Sequence, residues 1–293
     1  MARFEERLPE NAPGDYFVDR TCIDCDVCRQ IAPTVFKQAP AARQAIVFHQ
    51  PEGPDEHLRA AMAMVSCPTA SIGTSARQSS GAAAAAFPEP IAEGVYYCGY
   101  TSASSYGAAS YLIQRPEGNV LVDSPRAARP LLKRIAELGG VRTLVLTHRD
   151  DVADHRIFHD VFGCDRVIHE ADVDDGTAPA EVTIQGESPL ALAPDLTVIP
   201  VPGHTRGSVA LLVRERYLFT GDHLWLSGET GRLDASRDVC WHWWAEQIRS
   251  MERLLQHRFT WVLPGHGRRY RAPSEEAMRA ELVALIERMK IAR

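Results

Sequence analysis

Apolar residues fall in short, β-branched-rich runs at 110–113, 120–122, 143–146, 196–199, 209–213, 217–220 and 261–263, and this pattern predicts strands. Between or beside them, apolar positions recur at helical spacing over 127–138, 154–162, 243–255 and 274–289, which predicts helices. The first seventy-odd residues read differently: cysteines, aromatics and prolines crowd together, with strand-like runs at 16–18, 45–48 and 70–72. Residues 75–90 are low in complexity, and the segment ends in Pro88 and Pro90. Its alanine run has helical propensity, but Ser79, Ser80 and Gly81 before it and the prolines after it favour a flexible or extended tether. The expected organisation is an α+β protein of two domains, 1–74 and 91–293, joined by a linker at 75–90. No repeat of solenoid period is evident.

Length agrees with this division, because 293 residues suffice for about two ordinary domains, each with its own core. Hydrophobic residues at 45% and no apolar run near the ~20 residues that span a bilayer argue against membrane insertion. The formal charge of −6 provides no basic footprint for nucleic acid. The charged, proline-bearing start lacks the basic and apolar regions of a secretory signal, so a cytoplasmic location is expected. Seven cysteines, three of them close together, suit metal ligation in a reducing compartment better than a disulfide framework.

Cys22, Cys25 and Cys28 have two residues between each pair, and a fourth cysteine, Cys67, precedes Pro68. Tetrahedral zinc sites ordinarily take two separate Cys-x-x-Cys pairs. A [4Fe-4S] cluster takes three ligands from one turn and a remote Cys-Pro; zinc or four structural thiols is the alternative. The segment 16–74 resembles a bacterial-type ferredoxin with two β-α-β halves. The position where two-cluster ferredoxins carry a further Cys-Pro reads Ala32-Pro33 here, which implies a single cluster on Cys22, Cys25, Cys28 and Cys67. Cys98, Cys164 and Cys240 are isolated and read as small buried apolar side chains.

A second series of chemistry-bearing residues follows the strands: His148, Asp150, Asp151, Asp154 and His155, then His204, then Asp222, then His266. Imidazole and carboxylate suit zinc, iron or manganese, and loops at one edge of a sheet can bring such groups together. The order and the Gly-His-Thr-x-Gly-Ser and Gly-Asp elements resemble the metallo-β-lactamase superfamily over about residues 91–290. The resemblance implies an αβ/βα sandwich with one or two divalent metals at one edge. His148 and His204 would serve the first metal, Asp154, His155 and His266 the second, and Asp222 would bridge them, with Asp154 also orienting the nucleophile. The sequence departs from the family's His-x-His-x-Asp-His. Asp150 stands where the second histidine belongs, with Asp151 as its rival, and two extra residues precede the Asp-His pair.

A carboxylate in place of imidazole shifts preference from zinc toward iron or manganese, and the flavodiiron branch of the superfamily carries a similar substitution. The resemblance implies a metal-dependent hydrolase of a small molecule, glyoxalase II-like and thioester-cleaving, with the cluster as an electron-transfer or sensing module. The rival is a non-haem iron redox enzyme, reducing oxygen, nitric oxide or an organic acceptor, its cluster fed by a redox partner protein. A persulfide dioxygenase-like mononuclear iron enzyme and a non-catalytic electron-transfer protein are the remaining readings. His159, His169, His223, His242 and His257 lie outside the pattern and read as structural; His223 and the Trp241–Trp244 cluster are candidates to line the pocket.

Overall fold

The computed structural model describes residues 2–40, 42–76 and 78–291. Positions 1, 41, 77, 292 and 293, which the sequence-derived domain limits span, lie outside the described residues. The chain divides into two compact units: residues 1–119 with 125–140, and residues 120–124 with 141–293.

In the first unit, β1 (Tyr16–Val18) pairs antiparallel with β4 (Ile72–Thr74), and β2 (Phe36–Gln38) with β3 (Ala45–Val47). Two helices, α1 (Val27–Ile31) and α2 (Gly53–Ser66), pack together and bury Val27, Ile31, Ala60 and Met62. Pro54 at the start of α2 has the fixed φ that a first helical turn accepts. From residue 81 onward, the stretch expected to be a tether is ordered instead. It forms α3 (Gly81–Ala85), packed on α2, and runs into β5 (Glu89–Ala92). Phe87 explains this: it is fully buried, edge-on to Tyr97 and Tyr100, so the segment is anchored by an aromatic side chain. An antiparallel run β5–β6 (Val95–Tyr97)–β7 (Tyr111–Ile113) and helix α4 (Arg129–Glu137) complete the unit. The first compact unit therefore extends well past the sequence-derived boundary at residue 90.

The second unit contains parallel strands β8 (Val120–Val122), β9 (Thr143–Val145), β10 (Asp165–His169) and β11 (Val182–Ile184), with α5 (His155–Phe162) between β9 and β10. A second sheet runs in the order β12 (Leu190–Ala193), β13 (Leu196–Pro200), β14 (Val209–Val213), β15 (Tyr217–Gly221), β18 (Trp261–Pro264), β19 (Tyr270–Arg271). A small hairpin, β16 (Trp225–Leu226) and β17 (Leu233–Asp234), interrupts it. Helices α6 (Trp244–Leu254) and α7 (Glu275–Ile291) cover one face of the six-stranded sheet. Met251, Leu254, Met278, Leu282 and Leu285 there meet Ile199, Ala210, Leu212, Leu218 and Val262. Every residue of β14 is buried, the near-continuous apolar reading of a strand covered on both faces. The predicted helices and the seven predicted strands from 110 onward all form, within a few residues of their expected limits.

Candidate metal centres

Four cysteines of the first unit, Cys22, Cys25, Cys28 and Cys67, share one cradle. Cys22, Cys25 and Cys67 are half-buried and Cys28 is buried. The loop that presents the first three contains two aspartates in the left-handed region, Asp24 (φ 60°) and Asp26 (φ 65°). Asp and Asn tolerate that conformation better than most residues, and Arg29 ion-pairs with both carboxylates. The amide of Ala45 donates to Cys22 Sγ at 3.3 Å, and that of Ser71 to Cys67 Sγ at 3.3 Å. The backbone amides of Asp24 and Val27 also favour the thiolates of Cys22 and Cys25. Burial, reinforced by the neighbouring sulfurs, pushes the Cys25 thiol up to about 12 and Cys28 well above its ordinary range. Amide donors aimed at sulfurs that cannot ionise together unaided suit a group that takes up four thiolates and disperses their charge. The donor set therefore fits an iron–sulfur cluster.

In the second unit, four strand ends carry the imidazoles and carboxylates. β9 leads into His148, Asp150 and Asp151, β13 into His204, β15 into Asp222 and β18 into His266. Parallel pairing of β15 with β18 in the register Gly221↔Pro264 aligns the ends bearing Asp222 and His266. The amide of Val209 donates to the Thr147 carbonyl at 2.8 Å, tying the start of β14 to the end that carries His148. Two donor groups result among the described residues: His148, Asp150 and His204, and His148, Asp151 and Asp222. Asp150 Oδ2 lies 3.4 Å from His204 Nε2, and Asp222 Oδ2 lies 3.9 Å from both His148 and His204 Nε2. His266 Nε2 is 3.8 Å from Asp151 Oδ1 and 3.7 Å from Asp222 Oδ2.

The imidazoles are held in defined tautomers. The Thr147 hydroxyl stands 2.9 and 3.0 Å from the two Asp123 carboxylate oxygens and donates to this carboxylate, leaving its lone pair to accept from His148 Nδ1 at 3.0 Å. Nδ1 of His204 donates to the Val239 carbonyl. Both Nε2 lone pairs are then turned to the centre, and His148 Nε2, His204 Nε2, Asp151 Oδ2 and Asp222 Oδ1 are buried without a hydrogen-bond partner. Buried polar atoms are normally satisfied, so four orphaned donor atoms in two adjoining groups that share His148 fit bound cations. Burial pulls His148 down to about 4, keeping the ring neutral. Burial opposes protonation of His204 as well, but Asp150 and Asp222 overcome it and raise that group. Burial and then the neighbouring Asp222 push Asp151 far above the carboxylate range. Two glycines make the close approach of these groups feasible. A Cβ on Gly265 would lie 2.6 Å from Asp151 Oδ2 and 2.8 Å from Asp222 Oδ1; one on Gly221, whose φ is +48°, would lie 2.3 Å from Thr147 Oγ1.

Of the expected ligands, His148, Asp150, His204, Asp222 and His266 come together, and Asp151 joins them. Asp154 and His155 belong to neither donor group. The two extra residues carry them into the start of α5, where Asp154 takes the N-cap position and His155 Nε2 pairs with the Gly176 carbonyl at 2.9 Å. Sequence reasoning missed Asp123, although it follows β8 as the other acids follow their strands. It also missed Asp172, which has no such signal; its carboxylate accepts from Thr205 Oγ1, Gly207 N and Arg149 N, bracing the His148 and His204 loops against each other. Trp241 is 63% exposed with its ring 6.1 Å from that of His204, and Cys240 Sγ donates to the Gly203 carbonyl. His159 and His169 pair with backbone carbonyls of Cys164 and Gly186, whereas both ring nitrogens of the buried His223 lack partners.

Residues 18–74 match the family model described as the 4Fe-4S single cluster domain of Ferredoxin I. The chain is structurally similar to DIM-1 metallo-beta-lactamase at 17% identity and a TM-score of 0.51, covering 67% of this chain and 96% of that one. Against a metallo-beta-lactamase family protein from Thermus thermophilus the figures are 19% and 0.50, with coverage of 68% and 80%. Against VMB-1 they are 15% and 0.50, with coverage of 67% and 95%. A comparison with curated proteins finds no match. No helix among the described residues is long and apolar enough to cross a membrane. Residues 18–74 thus match a single-cluster 4Fe-4S ferredoxin domain, and about two thirds of the chain has the metallo-β-lactamase fold.

Proposed function

We propose that the region 91–293 is a metal-dependent hydrolase of a small acyl substrate, a thioester being the first candidate. The observation that carries this reading is the convergence of orphaned Nε2 and carboxylate oxygens from His148, His204, Asp151 and Asp222. His148, Asp150, His204 and Asp222 would hold one cation, and Asp151, His266 and Asp222 a second. Such cations, when bound, supply a Lewis acid for the scissile carbonyl and lower the pKa of water. The chain contributes fixed imidazole tautomers through Thr147, Asp123 and Val239, so that no ring has to reorient during turnover. Asp150, with its side chain 44% exposed, faces the solvent side and is suited to orient an entering water. This role falls to Asp150 in preference to Asp154, which stands at the N-cap of α5.

A redox reading has its own support. Three carboxylates among six donors favour iron or manganese over zinc, and a cluster-binding segment occupies the same chain. Anaerobic purification with analysis of iron, zinc, manganese and sulfide, alongside thioester turnover, separates the two. Hydrolysis with one or two zinc, iron or manganese ions outside the cluster supports the proposal. Absence of hydrolysis, with two irons beyond the cluster and consumption of oxygen or nitric oxide under a reductant, overturns it.

A further inference from the structure

The thiol cradle does not end where the ferredoxin-type segment ends. Within the first unit, the loop between β6 and β7 meets both halves of the cradle. Tyr106 donates its hydroxyl hydrogen to the Ile23 carbonyl, which lies between Cys22 and Cys25. Gly107 (φ +87°) approaches so closely that a Cβ there would lie 2.7 Å from Cys25 Cβ, 3.0 Å from its Sγ and 3.4 Å from Pro68 Cγ. At the other half, Val65 and Ser66 are the last residues of α2, so their carbonyls have no partner in the helix. Arg126 Nη2 donates to the first at 3.0 Å and buried Thr101 Oγ1 to the second at 2.8 Å, directly ahead of Cys67.

The loop adopts an unfavourable conformation to make these contacts. Tyr106 has φ +46°, a left-handed value uncommon for a residue other than glycine, and the next residue is also left-handed. The gain is control of a single peptide plane. The Ile23 carbonyl and the Asp24 amide belong to one planar unit and point in opposite directions. That amide favours the Cys22 thiolate. Holding the carbonyl on Tyr106 therefore holds the amide on the sulfur.

We infer that Tyr106 and Gly107, outside residues 18–74, are positioning residues for the cluster-binding cysteines and set how firmly the cluster is retained and at what potential it accepts an electron. The inference rests on the cluster reading of Cys22, Cys25, Cys28 and Cys67. Amide bonds to cluster sulfur favour the reduced, more negatively charged state, so relaxing the Ile23–Asp24 peptide shifts the potential to more negative values, and loosening the cover hastens oxidative loss.

The test uses the full chain, purified without oxygen, carrying Tyr106→Phe or Gly107→Ala, with Tyr96→Phe as a control at a half-buried tyrosine bonded to Gln114. Iron and sulfide per chain, the visible absorbance, the midpoint potential followed by electron paramagnetic resonance and the rate of bleaching in air are measured. Tyr106→Phe should keep its iron, shift negative and bleach several-fold faster, while Gly107→Ala loses most of its cluster and Tyr96→Phe matches the wild type. If Gly107→Ala fails to fold by circular dichroism, Tyr106→Phe decides. A Tyr106→Phe chain with wild-type potential and bleaching rate overturns the inference alone. Wild-type protein free of iron and sulfide overturns it together with the cluster reading.

Discussion

In the thiol cradle three of four sulfurs come from the seven residues Cys22 to Cys28, whereas the donors of the histidine–aspartate centre come from four strand ends between His148 and His266. The first relies on a loop that left-handed Asp24 and Asp26 allow to curl, with the amides of Ala45 and Ser71 aimed at the cradle's sulfurs. The second relies on sheet register, with Thr147, Asp123 and Asp172 bracing groups that are remote in sequence. Soft sulfur on a local loop and harder nitrogen and oxygen on a rigid edge suit different inorganic partners, so each centre should be removable without the other.

His204→Ala breaks the comparison most severely. It should abolish the metal outside the cluster and reduce hydrolysis by more than about 100-fold, since loss of even an outer partner of a ligand costs about 10–100-fold. The cluster absorbance should stay; its disappearance in the same variant would show that the two centres depend on one folding unit. Cys25→Ala is the reciprocal change. Visible absorbance and sulfide should be lost while thioester hydrolysis persists, and a parallel collapse of turnover would favour the redox reading.

Thr147→Val sharpens the picture at the second centre. Removing the hydroxyl leaves His148 Nδ1 and the buried Asp123 carboxylate without this shared partner. Metal affinity, measured by competition with a chelator, should fall about 10-fold or more while circular dichroism is unchanged. The smallest effect is expected at Glu181, whose carboxyl is held down to about 2 by its hydrogen bonds to Arg166. Because the folded-state pKa lies below the ordinary value of 4.5, this contribution is full above about pH 4.5 and fades as pH falls toward 2. Glu181→Gln should lower stability near neutrality by a few tenths to about 1 kcal/mol, and the difference from wild type should vanish in acid denaturation curves near pH 2.

Much of the candidate chemistry was legible because its signals are short. Cysteine spacing, Gly-His and Gly-Asp pairs after apolar runs, and helix periodicity all act within a few residues. Where the reading failed, a longer-range interaction had prevailed. Phe87, buried against Tyr97 and Tyr100, turned an apparent tether into part of a compact unit. Asp154 and His155 matched the expected residue types but were drawn into the first turn of α5, and His155 found the Gly176 carbonyl. Asp151 entered a donor group through the path of the loop, which counting residues from His148 could not supply.

The order of strands and helices, the separate placement of sulfur and imidazole–carboxylate donors, and the candidate ligands other than Asp154 and His155 follow from the amino-acid sequence, because periodicity and ligand type are local properties. Tertiary structure decided which aspartates face His148 and His204, which ring nitrogens are free, and that Tyr106 and Gly107 close on the cysteine loop. Those choices depend on sheet register and on where a hydrogen-bond partner lies in space, and neither is encoded within any single stretch of the chain.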